Sequence, residues 1–346
     1  MERKSVLKKP RVLQKMIRYR ERMKKREYAL QLVELNYNNA CNYNCEHCFS
    51  HFLSKEQKLT PARIRDLSAQ ADQLGAWQFH LQGGEPLIWP DLDEVLAAID
   101  PEKFYVFLTT NGWMLTQEKA HHLAGLGVDK ISVSLDSFNA AEHDAFRKQP
   151  GAYQKAMDAL FHAKAAGMQA NINTVITHQN IHSDSVIQIL EFAKQHQFTV
   201  LFVIATSSGK WVGRTDLLIT PEDANHILKL KEAYPFIHRD IFPLFDFEWG
   251  CRTLNGLIYI TPSGDVLSCP FIHISLGNIL NEPLREILQR GWRVKYFRDH
   301  VPHCLAGEDR LFIEKFMGKT KDIVIPISFN EAFSKDDLYD EEPLGL

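Results

Sequence analysis

The sequence has little cysteine and no long apolar run. Six cysteines among 346 residues are too few for the disulfide framework of a secreted scaffold. No apolar stretch approaches the roughly 18–20 residues of a membrane-spanning helix. The basic amino-terminal segment lacks the apolar run and small-residue cleavage site of a secretory signal. These absences exclude a disulfide-rich or membrane-spanning protein, and we expect a cytoplasmic one.

What is present is ordinary for a globular protein, with 45% apolar and 24% charged residues and a formal net charge of −3. The charge is uneven, because residues 1–30 form a predicted basic helix and residues 336–342 are acidic. That helix either packs on the main domain or binds an acidic partner, a membrane surface or nucleic acid. It carries no nucleic-acid motif, and its only aromatic residues are Tyr19 and Tyr28. We therefore favour packing, and expect no nucleic-acid partner.

Predicted strands and helices alternate through the first two thirds of the chain. Apolar, β-branched or aromatic runs predict strands, and amphipathic stretches between them predict helices. This order is typical of a parallel sheet with right-handed crossovers, and such folds carry their chemistry at the carboxyl ends of the strands. The predicted strands are 32–35, 78–81, 104–108, 130–135, 170–176 and 199–204, and the predicted helices are 61–74, 92–98, 117–126, 153–166 and 183–197.

A loop after the first predicted strand contains half of the cysteines. Cys41, Cys45 and Cys48 lie within eight residues, so one loop can present three thiols together. A structural zinc site normally takes four protein ligands, and no fourth cysteine is near. Three thiolates on a [4Fe-4S] cube leave one iron open to a ligand that is not protein. The spacing favours a cluster of this kind.

Polar residues and glycines also follow the next strands. Gly83 and Gly84 permit a close backbone approach, and Glu85 after them can receive an ammonium group. The alternative for this segment is a tight turn with Glu85 in solvent. The segments 109–112 and 134–137 follow the third and fourth strands in the same way.

Four motifs together resemble the radical S-adenosylmethionine (radical SAM) superfamily. They are CNYNCEHC at 41–48, GGEP at 83–86, TNG at 110–112 and SLD at 134–136, in that family's order and spacing. The resemblance covers about residues 32–205. It implies an α/β fold, a partial (β/α)6 barrel related to the TIM barrel. It also implies a [4Fe-4S] cluster on Cys41, Cys45 and Cys48 that binds S-adenosylmethionine.

The same resemblance implies contacts with S-adenosylmethionine. His47 stands where the family usually has an aromatic residue near the adenine. Arg147 matches a basic residue that faces the methionine carboxylate, although it can also be an ordinary helix-surface arginine. The other implied contacts are Gly83, Gly84 and Glu85 with the ammonium, Ser134 and Asp136 with the ribose or carboxylate, and Asn173 with the nucleoside.

The last third of the chain resembles the auxiliary-cluster extension called SPASM or, in its short form, twitch. Cys251 precedes a predicted hairpin with strands at 257–261 and 266–267, which leads to Cys269, and Cys304 follows a predicted helix at 283–289. The resemblance implies one auxiliary iron–sulfur cluster in a small α+β domain. With three cysteines, either one iron is open to substrate or a group such as His303 or an acidic side chain completes the set.

The expected organisation is a basic helix (1–30), a radical SAM core (31–240), an auxiliary-cluster domain (241–310) and a tail (311–346). We expect hydrogen abstraction from a ribosomally made peptide or protein. The alternative is a small metabolite, such as a sugar, an aminocyclitol or a cofactor precursor. A non-enzymatic iron–sulfur carrier or sensor is disfavoured, since it needs no S-adenosylmethionine contacts. The implied electron donor is a flavodoxin or ferredoxin. Lys210, Trp211 and Arg214 either face the substrate or are plain loop residues.

Overall fold

One mixed sheet of eleven strands organises the molecule. The computed structural model describes residues 8–25, 27–53, 56–239, 241, 250–321 and 323–341. In space the strands run β11-β10-β9-β8-β1-β2-β3-β4-β5-β6-β7, and the sheet is not closed. The strands are β1 Leu32–Leu35, β2 Gln78–Leu81, β3 Tyr105–Thr110, β4 Lys130–Ser134, β5 Gln169–Ile176, β6 Thr199–Ile204, β7 Ile237–His238, β8 Leu257–Ile260, β9 Asp265–Cys269, β10 Ile272–Asn278 and β11 Ile327–Ser328.

Strands β1 to β7 pair in parallel, which confirms the predicted α/β core. Their interiors are almost wholly buried, as expected for strands covered on both faces. The α-helices are α1 Pro10–Lys24, α2 Pro61–Gln73, α3 Leu92–Ile99, α4 Gln117–Gly125, α5 Ala140–Arg147, α6 Ala152–Ala165, α7 Asp184–His196, α8 Pro221–Ala233, α9 Leu284–Gly291, α10 Lys295–Arg298, α11 Arg310–Phe316 and α12 Phe329–Ala332.

Helix α5 was not predicted as a helix. Phe146 is its only large apolar residue, so it lacks the repeated large apolar side chains by which the other helices were predicted. The helix begins at Asn139, whose side chain accepts from the backbone N–H groups of Ala141 and Glu142. It ends at Arg147, and this short helix thereby carries a predicted site residue to the barrel mouth.

Helix α1 packs against one end of the barrel, as the favoured sequence interpretation predicted. Val12, Met16 and Tyr19 form an apolar cluster with Trp77, Tyr105 and Phe107. Before the helix, the Lys9 ammonium donates to two backbone carbonyls and to a carboxylate oxygen of Asp129 at 2.5 Å. The helix is shorter than predicted, and residues 1–7 and 26 of the predicted segment lie outside the described residues.

The carboxyl-terminal strands extend the same sheet, because β8 pairs in parallel with β1, Leu32 opposite Leu257. The predicted hairpin is present as β8 and β9, and its turn includes Gly264 at a φ of +89°. The unpredicted β10 adds a third strand, and the two-residue β11 pairs with it at the edge of the sheet. Within the described ranges, no helix has the length and apolar character needed to cross a membrane.

Candidate functional site

A cavity of about 250 Å³ opens at the carboxyl ends of the parallel strands. Both groups of cysteines, although far apart in sequence, line it together. Of the eight other residues predicted to contact S-adenosylmethionine, seven line it. The predicted residues on its wall are Cys41, Cys45, Cys48, Cys251, Cys269, Cys304, His47, Gly83, Gly84, Glu85, Ser134, Arg147 and Asn173.

The first three cysteines are free thiols on the loop after β1. The backbone N–H of Tyr43 lies 3.4 Å from Cys41 Sγ, and Arg147 Nη1 lies 3.9 Å from Cys45 Sγ. Burial raises the pKa of the Cys41 thiol to about 12 and also raises that of Cys45, where the Arg147 charge opposes the effect. Binding of a cluster therefore releases thiol protons.

The two glycines after β2 fit closely against the amino-terminal side of this loop. A Cβ on Gly84 would lie 2.0 Å from the carbonyl oxygen of Ala40. A Cβ on Gly83, whose φ is +126°, would lie 2.1 Å from the side chain of Asn36. The next residue, Glu85, donates its backbone N–H to Ala40 O at 2.8 Å. The protein's own packing therefore requires both glycines.

Glu85 is buried, so the solvent-exposed alternative is wrong. Its carboxylate accepts from Thr110 Oγ1 at 2.7 Å and from the backbone N–H groups of Asn111 at 2.8 Å and Leu87 at 3.1 Å. Burial raises the pKa of Glu85 to about 7, although the three hydrogen bonds act in the opposite direction and lower it. The carboxylate thus joins β2 to β3 and has little capacity left for a ligand.

Asp136 is the one predicted cofactor contact that does not line the cavity. Arg147 Nε donates to its Oδ2 at 2.6 Å, and the backbone N–H of Val175 donates to its Oδ1 at 3.0 Å. Burial alone would raise the pKa of Asp136, but the Arg147 guanidinium holds it below the ordinary value. The structure corrects the expected role: Asp136 holds Arg147, and only Arg147 faces the cavity. The surface-arginine alternative is wrong, because Arg147 is 6% exposed.

His47 lies in an aromatic cluster on the cavity wall. Its ring stacks on Phe146 at 4.6 Å with 7° between the planes, and Trp211 lies 5.8 Å away. Burial, followed by the Arg147 charge, lowers the pKa of His47 to about 3, so the ring is neutral. Its Nδ1 is buried without a hydrogen-bond partner among the described residues.

Ser134 and Asn173 are register partners on β4 and β5. Asn173 donates to Thr109 Oγ1 at 3.3 Å and accepts from Asn171 Nδ2 at 2.6 Å. Both partners are therefore held at the cavity wall by the sheet itself.

The second group of cysteines comes together around β9. Cys251 donates its backbone N–H to Val301 O, and Cys304 donates its own to a carboxylate oxygen of Glu308. Burial and the neighbouring thiols raise the pKa of Cys269 well above its ordinary value. His303 does not line the cavity and pairs instead with Asp309 at 3.1 Å. A ligand from His303 to the cluster would have to be Nδ1, because Nε2 is bonded to Asp309.

The three residues that we singled out on the loop after β6 lie in different environments. Trp211 lines the cavity. Arg214 makes a bidentate, exposed pair with Asp216. Lys210 binds the back of the first cysteine loop and does not line the cavity. For Lys210 and Arg214, the substrate-facing alternative has no support, because neither residue lines the cavity.

Sequence reasoning missed a polar group on the inner face of the barrel. Glu34 Oε1 lies 2.8 Å from His80 Nδ1, and His80 Nε2 lies 2.7 Å from Thr109 Oγ1. All three line the cavity. Burial raises the pKa of Glu34 to about 8, and Glu34 Oε2 has no hydrogen-bond partner among the described residues. The available signal was a charged residue and a histidine within two otherwise apolar strands.

The residues around the cavity fit the expected cofactors. Three thiols on one loop suit a [4Fe-4S] cluster, and the buried, unpartnered His47 Nδ1 suits a polar heterocycle such as adenine. Among the described residues, no three His, Cys, Asp or Glu side chains stand as a site for one metal ion. A cube does not need such a site, because each thiolate binds a different iron.

Two family models match the chain. The radical SAM superfamily matches residues 35–193, and the iron–sulfur cluster-binding domain called SPASM matches residues 251–308. Together they span more than half of the sequence, and both predicted resemblances are confirmed.

Similar proteins include enzymes of more than one chemistry. AdoMet-dependent heme synthase of Nitratidesulfovibrio vulgaris is 24% identical over 78% of this chain and 81% of its own. PqqA peptide cyclase of Streptomyces rochei is 29% identical over 75% of each chain.

The fold resembles that of Streptococcus suis SuiB, which has been solved with S-adenosylmethionine and with the precursor peptide SuiA. The TM-score is 0.61 at 17% identity, and the match covers 82% of this chain and 72–73% of SuiB. This likeness supports the TIM-like core. The chain belongs to the radical SAM superfamily of enzymes, whose [4Fe-4S] cluster and S-adenosylmethionine it uses together with an auxiliary iron–sulfur cluster in a carboxyl-terminal SPASM domain.

Proposed function

We propose that this enzyme abstracts a hydrogen atom from a ribosomally made peptide or protein. In this proposal Cys41, Cys45 and Cys48 hold the [4Fe-4S] cluster, which with S-adenosylmethionine supplies a 5′-deoxyadenosyl radical. The observation that carries the proposal is the single cavity lined by both groups of cysteines. A substrate between them meets the radical while water is excluded by the surrounding barrel.

The cavity wall offers a complete set of contacts for S-adenosylmethionine. Arg147 supplies a buried positive charge for the methionine carboxylate, fixed by Asp136. His47 supplies a neutral ring beside the expected adenine, and its buried Nδ1 has no hydrogen-bond partner among the described residues. Ser134 and Asn173 supply polar groups for the ribose, and the backbone at 83–85 lies beside the expected ammonium.

The names of two similar proteins support a peptide substrate. PqqA peptide cyclase is named for a peptide substrate, and SuiB has been solved with its precursor peptide.

A small metabolite is the second candidate. It is favoured by the relatives named AdoMet-dependent heme synthase, which match 78–81% of this chain. The same cavity would then enclose a substituent of a cofactor precursor, or a whole sugar or aminocyclitol.

We further propose that Cys251, Cys269 and Cys304 hold the auxiliary cluster and that a flavodoxin or ferredoxin is the electron donor. The proposed division is a core at 31–240 and an auxiliary-cluster domain at 241–310, on a sheet that continues through both. Six free thiols suit the reducing cytoplasm.

The test uses anaerobically reconstituted protein. About eight irons are expected if both clusters are [4Fe-4S], and about half should remain after Cys41, Cys45 and Cys48 are changed to Ala. Dithionite-reduced wild type should form 5′-deoxyadenosine, and the triple variant should not. No 5′-deoxyadenosine from wild type would overturn the proposal.

Substrate class is decided by isotope transfer. A pool of side-chain-deuterated peptides and a pool of deuterated sugars, aminocyclitols and porphyrin precursors are supplied separately. Deuterium in 5′-deoxyadenosine from the peptide pool alone supports the first candidate. Transfer from the metabolite pool alone replaces it with the second.

A further inference from the structure

Within the described residues, the ammonium group of Lys210 bonds only to the cysteine loop. Lys210 Nζ donates to the side-chain oxygen of Asn44 at 2.5 Å, to the Asn44 carbonyl at 3.3 Å and to the Cys45 carbonyl at 2.9 Å. An ammonium group has three donors, so these contacts use all of them. Together they fix the loop between its first and last cysteine.

The backbone beside Lys210 holds the end of the same loop. The N–H of Lys210 donates to the Cys48 carbonyl at 3.2 Å. A Cβ on Gly209, whose φ is +55°, would lie 2.3 Å from that carbonyl oxygen. The segment after β6 therefore grips two of the three cysteines through their carbonyl oxygens, opposite to the side on which Ala40 meets Gly84.

The charge on Lys210 is uncompensated within the described ranges. All three acceptors are neutral oxygens, and no carboxylate lies within ion-pair distance of Nζ. A fixed positive charge beside a cluster with three thiolate ligands stabilises the reduced, more negative state more than the oxidised one.

We propose that Lys210 is a positioning residue with two effects: it holds the cysteine loop in its cluster-binding shape and raises the reduction potential of the cluster. The proposal rests on the assignment of the cluster to Cys41, Cys45 and Cys48. Trp211, the next residue, lines the cavity near His47, so the same segment joins the cluster loop to the expected adenine site.

Three variants separate charge from hydrogen bonding. Lys210→Met removes both, Lys210→Gln keeps donors without charge, and Lys210→Arg keeps both. Lys229→Met, an exposed lysine on α8, is the matched control. The first readout is an EPR-monitored redox titration of the cluster signal that Cys41→Ala abolishes. The second is amide hydrogen exchange over residues 41–48 in cluster-free protein.

We expect Lys210→Met and Lys210→Gln to lower the reduced-to-oxidised ratio at a given solution potential about tenfold, which is ~59 mV for one electron. Lys210→Arg and Lys229→Met should leave it unchanged. Exchange over 41–48 should be fastest in Lys210→Met. Wild-type potential in Lys210→Met and Lys210→Gln would overturn the charge effect, and wild-type exchange in Lys210→Met would overturn the holding effect. If Cys41→Ala kept every EPR signal, the assignment of the cluster to this loop would be contradicted. The hydrogen-exchange measurement would still decide whether Lys210 holds the loop.

Discussion

Asp136 fixes Arg147 in place: Nε donates to Oδ2 at 2.6 Å, and both side chains are buried. The same guanidinium reaches Cys45 Sγ through Nη1 at 3.9 Å. A carboxylate behind the cavity wall thus sets the position of a cation that lies beside the cysteine loop. The consequence is that Asp136 acts on any bound anion through Arg147.

We expect Arg147→Met to lower the free energy of unfolding by about 3–5 kcal/mol, because it leaves Asp136 as an unpaired buried charge. The double variant with Asp136→Asn should recover part of that loss. Both should weaken S-adenosylmethionine binding, measured by calorimetry on the oxidised enzyme. Stability is measured by denaturant unfolding of cluster-free protein.

The matched control is Arg214→Met, which breaks a bidentate pair with Asp216 on the surface. Solvent screens that pair, so no measurable change in stability is expected. Equal effects of the two arginine variants would contradict the argument from burial.

The barrel was predictable because its parallel strands are continuous apolar runs of the right length between helical patterns. Strand β6 and helix α7 lie where the sequence predicts them. Helix α5 was missed because its signal is an Asn139 cap, which is local, and its apolar face is narrow. The motif spacing placed Cys41, Cys45 and Cys48 at the carboxyl end of the first strand. It did not show that they share one cavity with Cys251, Cys269 and Cys304.

The roles of individual side chains were harder to predict than their locations. The sequence places Asp136 near the mouth, but only the fold shows that its oxygens face Arg147 and Val175. Lys210 was left either facing the substrate or as a plain loop residue, yet it faces backbone carbonyls of a loop more than 160 positions earlier. Side-chain direction depends on tertiary contacts that no local pattern records.

Glu85→Ala should destabilise the protein by about 3 kcal/mol or more, because three buried donors lose their acceptor. The change leaves the Thr110 hydroxyl and the backbone N–H groups of Asn111 and Leu87 without their acceptor, and each buried unsatisfied group costs about 1–3 kcal/mol. The measurement is denaturant unfolding. Glu102→Ala, at an exposed site, is the control. A loss no greater than that of the control would mean that water or the backbone replaces the carboxylate.

Glu34 predicts a pH dependence of stability. Its pKa in the folded protein is about 8, above the ordinary value, so the folded state holds a proton that the unfolded state has lost. Its contribution is therefore fully present below the unfolded pKa and is lost as pH rises towards 8. Between the unfolded and folded pKa values of Glu34, the free energy of unfolding falls by about 1.4 kcal/mol per pH unit.

Glu34→Gln should remove this slope, since the amide is neutral at every pH and can still bond His80. Denaturant unfolding of wild type and variant is compared at several pH values between 5 and 9. The variant should gain stability relative to wild type as pH rises. Parallel curves would show that Glu34 is ionised in the folded protein throughout.

His47→Phe separates packing from recognition. Phenylalanine keeps the stack on Phe146 and removes the buried, unpartnered Nδ1. Because that atom lacks a partner in the cofactor-free protein, we expect the free energy of unfolding to rise by about 1 kcal/mol.

If Nδ1 bonds the adenine, the His47→Phe variant should bind S-adenosylmethionine about tenfold more weakly, which is about 1.4 kcal/mol. Calorimetry on oxidised enzyme and denaturant unfolding measure the two effects, and His47→Ala, which also loses the stack, is the comparison. Unchanged binding with lower stability would give His47 a packing role alone.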